Sequence, residues 1–212
     1  MKITKFVHSC LLVEMSTPLN RTALFDPGIW SSIDVDNLEF LDDIIITHGH
    51  SDHFDIDLVK KIVTKFPGVH ITAPDEVVEL LNNESIPATS AVTEGIAFFE
   101  SPHEAVRPFL DSDPPQEIGV HYLGKLSDPG DSHSFAETKQ VLALPVQAPW
   151  GSTVDALKLA LSLKPKYVVP VHDWHWSDAA REAMYDGMEK RFASEGITFI
   201  KAKNGEPFVL DV

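Results

Sequence analysis

The stretch Thr47-His48-Gly49-His50-Ser51-Asp52-His53 places three imidazoles and a carboxylate within six consecutive positions, directly after the apolar run Ile44-Ile45-Ile46. That β-branched run reads as a strand buried on both faces, so the histidines begin where the strand must end. Neutral imidazole nitrogen and carboxylate oxygen are the donors that suit zinc, manganese or iron. Crowding them into one turn does nothing for packing, so His48, His50, Asp52 and His53 are expected to hold metal rather than to form a polar loop beside a helix cap.

The segment after the motif supports that placement. Asp55 to Phe66 carries apolar residues at Ile56, Val59, Ile62, Val63 and Phe66, a helical period with Asp55 and Asp57 at its positive end and Pro67-Gly68 as its stop. The motif therefore lies between a strand and a helix. Further strands are expected at Lys2 to Val7, Leu11 to Met15, Thr22 to Phe25, Val69 to Thr72, Ile96 to Glu100, Val141 to Val146, Tyr167 to Val171, Ile197 to Ile200 and Pro207 to Leu210. Ile118 to Lys125 reads as one strand with a bulge at Gly124, followed by a polar turn segment from Ser127 to Ser134. Helices are expected to open at Pro74-Asp75-Glu76, at Thr153 as N-cap with Val154, Leu157, Leu159, Ala160 and Leu161 facing inward, and at Ser177 as N-cap. Alternating strands and helices without a linker or repeat predict an α/β fold in one domain, 1–212.

Composition narrows the partners. A formal net charge of −15, from 32 acidic and 17 basic residues, repels phosphate backbones and anionic lipid, which disfavours nucleic acid and membrane and leaves a small-molecule substrate. A homo-oligomer stays open. The single cysteine, Cys10, excludes an internal disulfide and, beside Leu11, Leu12 and Val13, reads as a buried inert thiol of a reducing compartment. No signal peptide and no apolar run long enough to span a bilayer are visible, so a cytoplasmic protein is expected.

Other residues could complete the site. His103 follows a strand in Ser101-Pro102-His103, Asp131 sits in a turn, and His172 ends the strand Tyr167 to Val171. His121, in mid-strand, and His133, beside Asp131, are rivals of His103 as a third histidine ligand. Asp26, in the turn Asp26-Pro27-Gly28, is placed to accept the N–H of a ligand histidine and fix its tautomer. His8 either points into the site or satisfies backbone groups in its turn. Trp150, Trp174, His175 and Trp176 form either a pocket wall or core, His70 reads as structural, and Arg107 belongs to an acidic, proline-rich surface loop running to Glu117.

His48-Gly49-His50-Ser51-Asp52-His53, its strand-to-helix setting and the later His103, Asp131 and His172 resemble the metallo-β-lactamase superfamily over nearly the whole chain. The resemblance implies a four-layer αββα sandwich. It also implies two divalent ions, zinc first with manganese, iron or nickel as alternatives. His48, His50 and His103 would serve one ion, Asp52, His53 and His172 the other, with Asp131 bridging. Asp52 and Asp131 would then be the catalytic carboxylates. More narrowly, His8-Ser9-Cys10, Asp26-Pro27, Gly130-Asp131-Ser132, Lys164-Pro165-Lys166 and Val169-Pro170-Val171-His172 resemble the branch containing ascorbate-6-phosphate lactonase. The chain departs from that branch at Glu104 and Ser132, where a serine and a threonine are usual.

The activity implied is hydrolysis of a small ester, lactone or phosphodiester, with a bridging hydroxide as nucleophile. The alternative is a non-hydrolytic metal-binding or di-iron redox protein on the same fold. His50, where redox members usually carry a glutamate, and the missing flavin domain count against it.

Overall fold

The computed structural model describes residues 1–109 and 111–212; of the expected loop from Arg107 to Glu117, residue 110 lies outside the described residues. The chain divides into two compact units, one of Met1–Ala91 with Lys203–Asp211, the other of Val92–Ala202 with Val212.

In the first unit the chain forms β1 (Lys2–Phe6), β2 (Cys10–Met15), β3 (Arg21–Phe25), β4 (Asp43–Ile45), α1 (Ile56–Lys65), β5 (His70–Thr72) and α2 (Asp75–Asn83). The C-terminal strand Pro207–Val209 returns to pair with β1, giving a six-stranded sheet ordered C-terminal strand, β1, β2, β3, β4, β5. Pairing is antiparallel as far as β3 and parallel from β3 through β5. Ile44, Ile45 and Ile46 are all fully buried, as a run apolar on both faces requires. The strand starts one residue earlier than expected, at Asp43. This buried carboxylate can enter a strand because Arg21 grips it with two hydrogen bonds, Nε to Oδ2 at 2.6 Å and Nη2 to Oδ1 at 2.7 Å. Asp55 caps α1 by accepting from the N–H groups of Asp57 and Leu58, and Val59 and Ile62 turn into the core. That core also holds Leu24, Ile44, Ile46, Val77 and Leu81.

The second unit contains β6 (Ile96–Phe99), β7 (Gly119–Tyr122), β8 (Leu126–Asp128), β9 (Val141–Pro145), α3 (Thr153–Leu163), β10 (Tyr167–Val171), α4 (Asp178–Ala193) and β11 (Thr198–Phe199). Its six-stranded sheet runs β11, β10, β9, β8, β7, β6, parallel from β8 through β11 and antiparallel at β6, β7 and β8. The core combines Leu142, Leu144 and Val168 with Ala156 and Ala160 of α3 and Tyr185, Met188 and Phe192 of α4.

Two expectations are corrected here. The single strand Ile118 to Lys125 is a hairpin: Leu123 and Gly124 both take positive φ, 49° and 63°, and the Lys125 N–H donates to Tyr122 O at 3.0 Å. Two consecutive left-handed residues make the tight turn that matches strand twist, so Gly124 turns the chain instead of bulging it. The expected polar turn accordingly begins with β8, whose Ser127 and Asp128 are buried. Ser127 Oγ is engaged by His121 Nδ1 at 2.9 Å and by the Lys139 N–H at 2.7 Å. The second correction is α3. Ser152, not Thr153, is its N-cap, while Thr153 donates to Val146 O at 2.9 Å. Ala160 is fully buried as expected, and Leu157, Leu159 and Leu161 are partly buried against the core, but Val154 is 57% exposed and Ala156 is fully buried in its stead.

Among the described residues no helix is long and apolar enough to cross a membrane. Cys10 is buried, and burial pushes its thiol from 9.0 up to about 12. A thiol whose folded pKa exceeds its unfolded value favours the fold fully below the unfolded pKa, and that contribution fades as pH rises through the folded pKa. Two outcomes are expected. Ellman's reagent at pH near 8 should leave the native thiol unmodified and label it on unfolding. Between about pH 9 and about 12, melting temperature should fall more steeply for the native protein than for Cys10→Ala. Rapid labelling of the native thiol would contradict the burial.

Candidate metal centre

The first unit gathers its candidate residues around a carboxylate. Asp26 leaves β3 with φ of 44° and is fully buried. Its Oδ1 accepts from the Thr47 N–H at 2.8 Å, and its Oδ2 faces Thr47 Oγ1 at 2.9 Å and His53 Nδ1 at 2.7 Å. An ionised carboxylate has only lone pairs to offer, so both neighbours of Oδ2 must donate. Thr47 Oγ1, its proton committed to Asp26, can then accept from His48 Nδ1 at 3.1 Å. One carboxylate thereby sets the tautomer of two histidines.

The motif backbone is fixed by the same turn. The His53 and Phe54 N–H groups donate to His50 O, the Ile29 N–H donates to Ser51 O at 2.8 Å, and the Asp55 N–H donates to Pro27 O at 2.9 Å. Gly28 lies so close beneath the motif that a Cβ there would sit 1.9 Å from Asp52 O, which only glycine avoids. His48 packs its ring against His50 and His53 at centroid distances of 4.9 and 4.1 Å. Asp52 receives His8, whose Nε2 lies 3.1 Å from Oδ2.

In the second unit the candidates converge on Asp131. Its Oδ2 lies 3.1 Å from His172 Nε2, 3.8 Å from His103 Nε2 and 3.2 Å from the donating indole Nε1 of Trp150. His103 Nδ1 faces Glu104 O at 2.7 Å, and His172 Nδ1 faces Gln147 O at 2.6 Å. Carbonyl oxygens only accept, so both Nδ1 atoms carry the proton, and in the neutral rings both Nε2 atoms present a lone pair. Lone pairs of two imidazoles directed at one carboxylate oxygen repel unless a cation or protons lie among them. Within each unit the donors therefore fit a divalent ion: His48 and His53 in the first, and His103 and His172 in the second, have Nδ1 tied back to the protein and Nε2 turned the other way.

Of the three histidines open as third ligand, His103 is the one beside Asp131. His121 stacks on Phe99 at 4.4 Å and bonds Ser127, while His133 Nε2 donates to Pro145 O at 2.8 Å and its ring faces Trp150 edge-on at 5.1 Å. Glu104 braces the loop after His103, accepting from the His133 N–H at 3.1 Å and from Ser134 Oγ at 2.6 Å. His175 stacks near His172, with ring centroids 6.1 Å apart, and Trp174 is 44% exposed. Arg107 is an exposed arginine paired with Asp113 at 3.2 Å, and His70 is exposed on an edge strand.

Sequence reasoning passed over Thr47, Trp30 and the anchor behind His172. Trp30 meets the His8 ring edge-on at 5.0 Å. Asp173 is buried and receives the Tyr185 hydroxyl and Arg181 Nε, fixing the loop that begins at His172 to α4. Burial beside Asp173 raises the Tyr185 pKa, so this hydroxyl stays a donor. Asp173 and Tyr185 stand twelve residues apart, and no local pattern announces their contact.

Asp26→Asn puts an amide where two donors need an acceptor. Zinc affinity, measured by chelator competition, is expected to fall about 10- to 100-fold. Wild-type affinity in the variant would contradict the role of Asp26.

A family model for the Beta-lactamase superfamily domain matches residues 2–172. Protein Rv0786c of Mycobacterium tuberculosis is 26% identical over 201 residues, covering 87% of this chain and 90% of that protein. Among solved structures, Igni18, a metallo hydrolase of the archaeon Ignicoccus hospitalis, is similar with a TM-score of 0.71 and 20% identity over 99% of both chains. The metallo-β-lactamase fold protein YhfI of Bacillus subtilis is similar with a TM-score of 0.66 and 15% identity over 98% of both chains. The two mixed sheets and four helices described above are those of this fold, and with the family match spanning most of its length the chain belongs to the metallo-β-lactamase superfamily.

Proposed function

We propose that this metal-dependent hydrolase of the metallo-β-lactamase superfamily holds two divalent ions and cleaves an ester, lactone or phosphodiester of a small molecule, the whole chain acting as one hydrolase domain. The observation that carries the reading is the common orientation of His48, His53, His103 and His172, each with Nδ1 held by a protein acceptor. A histidine kept only for packing has no reason to share that orientation with three others. His48, His50 and His103 are assigned to one ion, Asp52, His53 and His172 to the other, and Asp131 to both. When bound, such ions supply Lewis acidity, lowering the pKa of water towards neutrality and polarising the oxygen of the group under attack.

The chain's own residues do the rest. Asp26 keeps His53 in the ligating tautomer and, through Thr47, does the same for His48. The Trp150 indole N–H fixes the rotation of the Asp131 carboxylate, and its ring, edge-on to His172 at 5.5 Å, shields that histidine from water. The formal net charge of −15 and the pairing of Arg107 with its own loop leave attraction of an anionic substrate to the ions themselves.

The test is elemental analysis of protein purified without added metal, combined with a lactone, ester and phosphodiester panel before and after chelation. About two ions per chain are expected, with turnover lost on chelation and occupancy reduced in Asp131→Ala and His53→Ala. Full double occupancy in both variants would overturn the ligand assignment.

A further inference from the structure

The turn between β1 and β2 is costly by design. Val7 and His8 both take positive φ, 34° and 60°, a region that a β-branched residue rarely enters and that most turns leave to glycine or asparagine. Its result is to bury the His8 imidazole, which is 1% exposed, and aim it at the metal motif of the same unit. His8 Nε2 lies 3.1 Å from Asp52 Oδ2, and the same oxygen lies 4.0 Å from His53 Nε2. Donor atoms of His8, Asp52 and His53 all fall within 4.8 Å of one another. Donors bound to one ion at about 2.0–2.2 Å are separated by roughly 3 to 4.4 Å, and the His8–Asp52 and His53–Asp52 spacings of 3.1 and 4.0 Å fall in that range. The His8 ring stands nearly perpendicular to that of His53, at 5.4 Å and 80°, and also to that of Trp30, at 5.0 Å and 88°. Two rings stacked face to face could not both direct a nitrogen at one point. These can.

We infer that His8 is a ligand of the ion held by Asp52 and His53, a donor that the histidine-rich motif does not itself contain. The inference rests on the metal-binding reading above. A histidine that merely hydrogen-bonds Asp52 would keep the carboxylate in place equally well if replaced by a side-chain amide, whereas a ligand imidazole would not. His8→Asn and His8→Gln separate the two roles. Asparagine also accepts positive φ readily, so the turn can form in that variant, and circular dichroism of the metal-free proteins checks it.

The experiment is titration of wild type and both variants with Co(II), read by metal stoichiometry and by proton NMR of the paramagnetically shifted imidazole resonances. Each variant is expected to lose one set of shifted imidazole signals and to bind its second Co(II) on the order of 100-fold more weakly than wild type; the lost signals are what separates a ligand from a hydrogen-bond partner, whose removal weakens binding by a similar factor and leaves the number of shifted imidazoles unchanged. Retention of every shifted signal with second-ion affinity unchanged in both variants would overturn the assignment of His8 while leaving the two-metal reading intact. A wild-type chain that takes up no Co(II) would overturn both.

Discussion

The Asp26 carboxylate is the fixed point of the first unit. It is fully buried and receives a backbone N–H, a hydroxyl and an imidazole N–H, all from the motif it supports. An isolated buried carboxylate is costly, but hydrogen bonds to a charged group contribute about 1.5–3 kcal/mol each, and three donors offset that cost here. The consequence is chemical as well as structural. Thr47 and His53 can satisfy Asp26, and His48 can satisfy Thr47, only in one arrangement of protons, and in that arrangement the Nε2 lone pairs are available as ligands.

The second unit reaches the same end by different means. There, main-chain carbonyls of Glu104 and Gln147 hold the histidines, and the Trp150 indole steadies the carboxylate. Backbone strain recurs in both units. His8, Asp26 and His172 all take positive φ, at 60°, 44° and 58°, although none is glycine. Left-handed backbone in such residues costs of order 1–3 kcal/mol each and persists only where surrounding contacts over-determine it. For Asp26 and His172 those contacts are the hydrogen bonds around each side chain. The strain marks the strand ends at which the chain gives up ideal geometry to present a side chain.

Much of this was legible in the sequence, for physical reasons that differ by residue. Ile44 to Ile46 and the period of α1 declared their burial, so the strand, motif and helix fell where expected. Cys10 declared itself by its apolar neighbours. Ser127 was misread because a polar residue in a short strand looks like a turn until the hairpin sets His121 opposite it, and Asp43 was left outside its strand because its partner Arg21 stands 22 residues away. Leu123-Gly124 was misread because a leucine at positive φ is uncommon, so one glycine suggested a bulge rather than a two-residue turn. Choosing among His103, His121 and His133 needed the carbonyls and hydroxyls around each ring, which composition and spacing do not contain.

The central claim is that the protein fixes which ring nitrogen faces the metal before any metal arrives. Long-range proton–nitrogen NMR of nitrogen-15 histidine-labelled protein, recorded metal-free and again zinc-loaded, reads that directly. The account requires His48, His53, His103 and His172 to appear protonated at Nδ1 and zinc-coordinated at Nε2. Protonation at Nε2 with coordination through Nδ1 in these residues would contradict it.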